Sequence, residues 1–266
     1  VLDERARLLA QRWDAPCIVT TNVGFFEPLF SAIPTGCRHL HQLADSVIVL
    51  DEVQSLPPDL LEATLRTVNL LCSQYGCTVV FSTATQPSFQ YLPGLQWKPM
   101  EIVPNPERLF QATRRVTYDW RIEEQIPYRQ IAEELISYRQ GCVIVNLRTH
   151  AEKLFHILEE IVSEAESEDI FYLTSDLCGA HRTEVLDVIK ERLAERKFCY
   201  LVASQCIEAG VDLDFPVVYR ALAPLESIIQ AAGRCNRNGD SEDGRVVVFL
   251  PEEECLYPPG AYYQRA

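Results

Sequence analysis

Nine short apolar runs, spaced apart by helix-period segments, constrain this chain more than any other feature. They are Cys17–Thr20, Val47–Leu50, Thr78–Ser82, Val116–Trp120, Cys142–Leu147, Ile170–Leu173, Tyr200–Ala203, Val217–Ala221 and Val246–Leu250. Between them, Leu60–Gln74, Ile131–Arg139, Ala151–Val162, Thr183–Arg196 and Leu225–Arg237 repeat apolar residues at helical spacing. Runs that are continuously apolar, rather than alternating, suit strands covered on both faces. Strands separated by helices run parallel. The expected class is α/β.

One interval breaks the rhythm. Gln86–Pro106 holds Pro87, Pro93, Pro99, Pro104 and Pro106. Proline fixes φ and removes a backbone donor, so neither a helix nor a central strand should cross it. It marks the expected boundary between two lobes, residues 1–110 and 111–266, meeting at a cleft. A length of 266 residues suits two such domains, and 47% hydrophobic with 23% charged residues is globular composition. No apolar run approaches the roughly 18 residues of a membrane span. Ten cysteines stand singly, without a Cys-x-x-Cys pair. Cys142, Cys199 and Cys206 lie in or beside apolar runs, so they are expected to be reduced core thiols of a cytoplasmic protein. The net charge of −14 argues against a broadly basic nucleic-acid coat. A narrow channel that grips phosphates through amides, hydroxyls and a few arginines stays open. The chain starts on Val and ends without stop-like punctuation, so it is expected to be a piece of a longer protein.

Four stretches could carry chemistry. In "VIVLDEVQSLP" (Val47–Pro57) an apolar strand runs into Asp51 and Glu52. Carboxyl ends of parallel strands line ligand crevices. Two adjacent acids there can divide the work of triphosphate hydrolysis, Asp51 holding Mg²⁺ and Glu52 orienting water. A strand meeting water in an ordinary loop would look much the same. In "VVFSTATQP" (Val79–Pro87) a second strand opens into Ser82, Thr83 and Thr85, short hydroxyls able to bond those carboxylates or simply to form a turn. In "LVASQCIEAGVDLDF" (Leu201–Phe215) Ser204, Gln205, Glu208, Gly210 and Asp212 follow a strand, where backbone amides can face a sugar-phosphate chain, although a surface loop would look the same. In "IIQAAGRCNRNG" (Ile228–Gly239) Gln230, Gly233, Arg234 and Arg237 fall at offsets 0, 3, 4 and 7, one stripe of a helix. Two guanidiniums one turn apart suit a clamp on phosphate oxygens, or else a solvated face. Gly239 then reads as the helix stop. Taken in chain order, the four stretches are what a two-lobed nucleic-acid motor needs.

The series DEVQ (Asp51–Gln54), TAT (Thr83–Thr85), Gln205…Gly210-Val-Asp212 and Gln230-x-x-Gly-Arg-x-x-Arg237 resembles motifs II, III, V and VI of superfamily-two helicases. More closely, "LDEVQSLP", "STATQP" and "EAGVDLDFPVVYRALAPLESIIQAAGRCNRNG" are similar to the CRISPR-associated helicase-nuclease of type I systems. The resemblance runs from about Asp14 to Leu250. It implies two RecA-like lobes with parallel sheets, the first incomplete, and ATP-driven translocation on single-stranded DNA after recruitment by an RNA-guided surveillance complex. It implies Asp51 as the Mg²⁺ ligand and Glu52 as the group that activates water. Thr83 and Thr85 would couple nucleotide state to the lobes. Arg234 and Arg237 would contact the γ-phosphate with Gln230 in support, and Gly210 and Asp212 would serve the nucleotide from the second lobe. Thr20, Thr21 and Asn22, in "APCIVTTNVGFFEPLFS", would touch the DNA backbone. Asn146 of "VIVNLRTHA", His181 and Arg182 of "GAHR", and Ser204 and Gln205 would face the strand. ATP and Mg²⁺ are the implied cofactors. Another superfamily-two motor, such as a restriction-system translocase or RNA helicase, is the competing enzyme class. A non-catalytic nucleic-acid-binding module is the third.

Two departures from the family pattern concern activity. None of Lys98, Lys153, Lys190 and Lys197 follows a glycine, so the Gly-Lys phosphate loop is absent from this stretch, and no His precedes an Asp, so the metal-dependent nuclease motif is absent too. Without the lysine and its amide cradle a triphosphate loses its main anchor. The 266 residues expressed alone are therefore expected to hydrolyse little or no ATP. Robust DNA-stimulated phosphate release by them would contradict this.

Overall fold

The computed structural model describes residues 12–34, 37–83, 89, 100–162, 169–208, 210–239 and 244–252. The chain separates into two compact units, Val1–Ile102 and Val103–Ala266. The division lies inside the proline-rich interval, and helix α3 (Pro106–Ala112), which straddles residue 110, falls in the second unit.

The first unit contains helix α1 (Asn22–Phe30), strand β1 (Val47–Leu50), helix α2 (Pro58–Tyr75) and strand β2 (Thr78–Phe81). The sequence sets the bounds of α2. Pro58 stands in its first turn, where a missing N–H is harmless, and Asp59 complements the helix dipole there. Gly76 closes it at φ 65°, donating to the Leu71 carbonyl, and a Cβ at that position would lie 2.3 Å from Asp45 Oδ1. The strands pair in parallel, Val47 with Thr78 through Leu50 with Phe81. Ile48 and Leu50 join Phe25, Phe26, Leu65, Val68 and Leu71 in one core.

Two expectations fail here. Val47 and Val49 are 69% and 63% exposed, so β1 is covered on one face only. Cys17–Thr20 is not a strand: it makes no ladder, and Val19 is 95% exposed. Apolar composition alone does not make a strand; a pairing edge does, and this segment instead lines a cavity of about 700 Å³ beside Ser46–Asp51.

The second unit is a six-stranded parallel sheet. Its strands are β3 (Val116–Ile126), β4 (Gln140–Ile144), β5 (Ile170–Leu173), β6 (Cys199–Ala203), β7 (Val217–Ala221) and β8 (Gly244–Pro251), in spatial order β3-β8-β7-β4-β6-β5. Helices α4 (Tyr128–Leu135) and α5 (Arg148–Ile161) pack Tyr128, Ile131, Leu135, Leu154 and Leu158 against Val143, Val202, Val217, Tyr219, Val247 and Phe249. The alternate residues of the same strands, Ile144, Leu201, Ala203, Val218, Val246 and Val248, face a second core with Ile189 of α6 (Gly179–Ala194) and Ile228 and Ala231 of α7 (Leu225–Ala232). Successive strand side chains point to opposite faces, so continuous apolar runs are what this double cover requires. Cys142, Cys199 and Cys235 are buried in the second core as free thiols.

Helix α7 is shorter than its apolar period suggested. It stops at Ala232, where the Gly233 N–H bonds back to Ile229 and Ala231. The chain then pairs with Phe215: Phe215 N–H donates to Arg234 O at 2.9 Å and Asn236 N–H to Phe215 O at 3.0 Å. Burial of Cys235 and Asn236, whose Nδ2 donates to Arg115 O at 2.8 Å, outweighs continuation of the helix. The single Arg-bearing stripe through Arg237 and the stop at Gly239 therefore do not exist.

The outer strand β3 is stapled by charge. Arg121 bonds both Asp119 (3.0 Å) and Glu134 of α4 (2.7 Å), and Arg245 of β8 reaches Asp119 (2.8 Å) and Tyr138 (2.9 Å). The Arg245 bond, opposed by partial burial and aided by Arg121, holds the Asp119 carboxyl below its ordinary range. Burial pushes Glu134 up, but bonds from Arg121 and Gln130 outweigh it and leave the group lowered. An acid with a lowered folded pKa contributes its full stability above the unfolded value, and loses it as pH falls through the folded one. The thermal midpoint is expected to drop on acidification below the ordinary carboxylate range, with a shallower drop in Arg121→Met. Superimposable acid limbs for the two proteins would remove the staple from the account.

Candidate functional site

In the first unit the chain leaves β1 directly into Asp51 and Glu52, both exposed. Glu52 adopts φ 51° and ψ 46°, a left-handed conformation uncommon for a non-glycine residue and often found where function holds it. Neighbouring polar groups support it. The Ser82 hydroxyl, at the exit of β2, donates to Asp51 Oδ1 at 2.8 Å. Gln54 donates through Nε2 to Glu52 Oε2, and its Oε1 accepts from the Thr83 hydroxyl. One amide thus links an acid after β1 to a hydroxyl after β2. Gln54 closes the DEVQ motif without an expected role of its own; its position two residues beyond the acids is the available signal. Thr85 lies outside the described residues. Among the described residues no group of three His, Cys, Asp or Glu could cage a metal. Mg²⁺ does not need one: it keeps most of its waters and is held by one or two carboxylates plus substrate phosphates, and exposed Asp51 fits that donor set.

Thr20, Thr21 and Asn22 open α1 at the rim of the cavity. Thr21 caps the helix, its hydroxyl accepting from the Gly24 N–H at 3.0 Å. Thr20 is exposed.

In the second unit the polar candidates gather at the carboxyl ends of β4, β6 and β7. A short turn, Gln205–Ile207, follows β6, and two arginines converge on its backbone. Arg182 of α6 donates to Cys206 O at 2.8 Å. Arg234 donates through Nε to Ile207 O at 3.1 Å and through Nη2 to Glu208 O at 2.7 Å. Arg234 is buried, and desolvation together with the Arg237 charge pulls its guanidinium below the ordinary value.

Arg237 is placed differently. Its guanidinium is half exposed and pairs with Asp212, itself 82% exposed, at 3.0 Å. Asp214 fixes the turn beneath it, accepting from the Arg237 and Asn238 N–H groups at 2.7 and 2.9 Å. The two arginines do not form the planar clamp that a continuous helix would have made. Gln230 stays on α7, half buried. Gly210 is exposed at φ +70°, a conformation costly for other residues.

Of the strand-facing candidates, His181 is exposed in the first turn of α6 and Gln205 is half buried. Ser204 is buried, its hydroxyl 3.5 Å from Cys206 Sγ. Asn146 departs from expectation: it is buried, accepting from Arg220 Nη1 at 2.7 Å and donating to Leu222 O at 2.8 Å, so its amide serves the interior. Arg220 and Glu208 were not foreseen as a pair. They lie 2.9 Å apart, 0% and 8% exposed, in charge contact without straight hydrogen-bond alignment. Burial pushes the Glu208 carboxyl up and the Arg220 charge pulls it back, leaving it above the ordinary value. The signal was an arginine inside the apolar run "VVYRA".

A parallel sheet covered on both faces, with polar groups gathered at its carboxyl edge, together with an acid turn at the end of a parallel strand, resembles the RecA-like lobes of a helicase. The particular likeness is to Cas3. Residues 137–240 match the family model for the C-terminal part of the CRISPR-associated nuclease/helicase Cas3. The CRISPR-associated nuclease/helicase Cas3 of Haloferax volcanii is 26% identical, across 95% of this chain and 37% of that protein. T. fusca Cas3 with ADP superimposes with a TM-score of 0.68 at 21% identity, covering 97% of this chain and 35% of that one. A chain of a CRISPR RNA-guided surveillance complex in a pre-nicking state gives 0.61 at 20% identity, covering 96% and 39%. The chain is similar to the helicase portion of Cas3 and spans a little over a third of these proteins' length.

Asp214→Ala is expected to lower stability by about 1–3 kcal/mol, since two amides lose a charged acceptor. Asp212→Ala, at an exposed site, should stay within about 0.5 kcal/mol. Urea unfolding of both variants checks this, and equal losses would contradict it.

Proposed function

We propose that this chain is the ATP-hydrolysing, single-stranded-DNA-translocating part of a Cas3-like enzyme that acts with an RNA-guided surveillance complex in the cytoplasm. The observation that carries the proposal is the linked acid turn, in which Ser82 steadies Asp51 and Gln54 joins Glu52 to Thr83. An ordinary loop meeting water has no use for a left-handed Glu tied to the next strand's exit.

Asp51 would hold Mg²⁺, which when bound neutralises charge on the β- and γ-phosphates. Glu52, its carboxylate aimed by Gln54, orients the attacking water. Thr83, through the same amide, responds to any displacement of Glu52. In the second unit the tethers of the two arginines differ in strength. An ion pair between exposed groups is worth about 0–1 kcal/mol, so Arg237 exchanges Asp212 for a phosphate oxygen readily. Arg234 is buried and donates two charge-assisted bonds worth roughly 1.5–3 kcal/mol each, so it also carries the fold. Gln230, Gly210 and Asp212 support the nucleotide around Arg237. Thr20, Thr21 and Asn22 of the first unit would contact DNA, as would His181 and Gln205 of the second; Ser204, buried behind the turn, would act through it.

In the full-length protein, Arg237→Ala is expected to lower DNA-stimulated ATP turnover by about 10³-fold, as for other phosphate-facing arginines, with little change in thermal midpoint. Arg234→Ala should lose both turnover and stability. Turnover within about threefold of wild type in Arg237→Ala would refute the phosphate role.

A further inference from the structure

Arg220 is the largest wholly buried side chain among the described residues, and it sits in a strand whose other members are Val217, Val218, Tyr219 and Ala221. An apolar residue would fill that room without desolvating a charge, and buried ion pairs are often replaceable by apolar ones at no loss of stability. Packing alone therefore does not call for the guanidinium. Its contacts point elsewhere. Nη1 donates to Asn146 Oδ1 at 2.7 Å and to Ala221 O at 3.0 Å, while Nη2 lies 2.9 Å from Glu208 Oε1. Glu208 also takes a hydrogen bond from Ser227 of α7, and its main-chain oxygen receives Arg234 Nη2 at 2.7 Å. One glutamate thus faces two guanidiniums, Arg220 through its carboxylate and Arg234 through its backbone.

Resting on the motor function proposed above, we infer that Glu208 and Arg220 are positioning residues: with Asn146 they form an internal strut joining the loop after β4 to Arg234. The β4 loop leads into Arg148 and α5, and the Gln205–Ile207 turn carries two of the strand-facing candidates. A displacement at either loop reaches Arg234 through a buried charge contact, Arg220 to Glu208, flanked by hydrogen bonds to Asn146 and from Arg234, rather than through apolar contacts alone.

The test uses the full-length protein carrying Glu208→Leu together with Arg220→Met, a pair that removes both charges and leaves neither alone in the interior. The positioning role predicts a folded protein whose affinity for an oligo-dT strand and KM for ATP stay within about threefold, while DNA-stimulated kcat falls about 10²-fold, the scale of a misplaced catalytic group. Glu208→Gln should lose kcat in the same direction. A folded double variant with DNA-stimulated kcat within about threefold of wild type overturns the strut. A double variant that fails to fold overturns it as well, assigning the pair to the scaffold. If wild-type protein shows no DNA-stimulated turnover, the motor proposal itself falls and takes the strut with it. That outcome is told from the others by the wild-type control alone.

Discussion

A central strand covered on both faces has one outlet for polar chemistry, its carboxyl end. Between the ends of β4, β6 and β7 the one charged side chain is Arg220, the others being apolar, small or tyrosine, and it is aimed along the sheet to the same edge. The edge is where the backbone stops being paired by neighbouring strands, so carbonyls after β6 need donors of another kind. Guanidiniums from α6 and from the segment after α7 supply them. The turn after β6 is therefore held from helices on its own face of the sheet, and the location of the candidate groups follows from where the sheet runs out.

The alternation of strands and helices was legible because double burial writes a continuous apolar run. β1, β5 and β7 begin and end where their runs do, whereas β4 shares only Cys142–Ile144 with its run. Cys17–Thr20 has the same composition and no strand, because pairing depends on a neighbour that local sequence cannot show. β3 extends to Ile126, well past Trp120: its ladder with β8 breaks after Arg121 and resumes at Gln125, and the exposed Glu123, Glu124 and Gln125 interrupt the apolar pattern. The end of α7 was illegible for a tertiary reason: Gly233 permits a stop, but the bridge between Phe215 and Cys235 decides it.

At the candidate sites, residue types were easier to find than their partners. Asp51 and Glu52 stand out because charge after an apolar strand needs a reason; Gln54, equally involved, looks like any amide in a loop. The family resemblance places Asn146 against DNA, whereas a buried arginine on the adjacent strand claims it. Spacing identifies which groups share an edge. Only the folded structure tells which are already engaged there.

That engagement bears on how an acidic chain could hold DNA. With 24 lysines and arginines against 38 acids, cations near any strand are scarce. Arg182, Arg220 and Arg234, all at the carboxyl edge of the second sheet, are bonded to backbone oxygens, Asn146 or Glu208. Affinity that rises from neutralised phosphates scales with the number of cations delivered, so this edge offers few counterion-releasing contacts. Under the proposed function, what remains there is neutral: the half-buried Gln205 and main-chain amides on a turn pinned by those arginines. Such donors fix the register of a sugar-phosphate chain without holding it fast. If the proposed translocation holds, weak grip with fixed register would let the protein release each phosphate to reach the next.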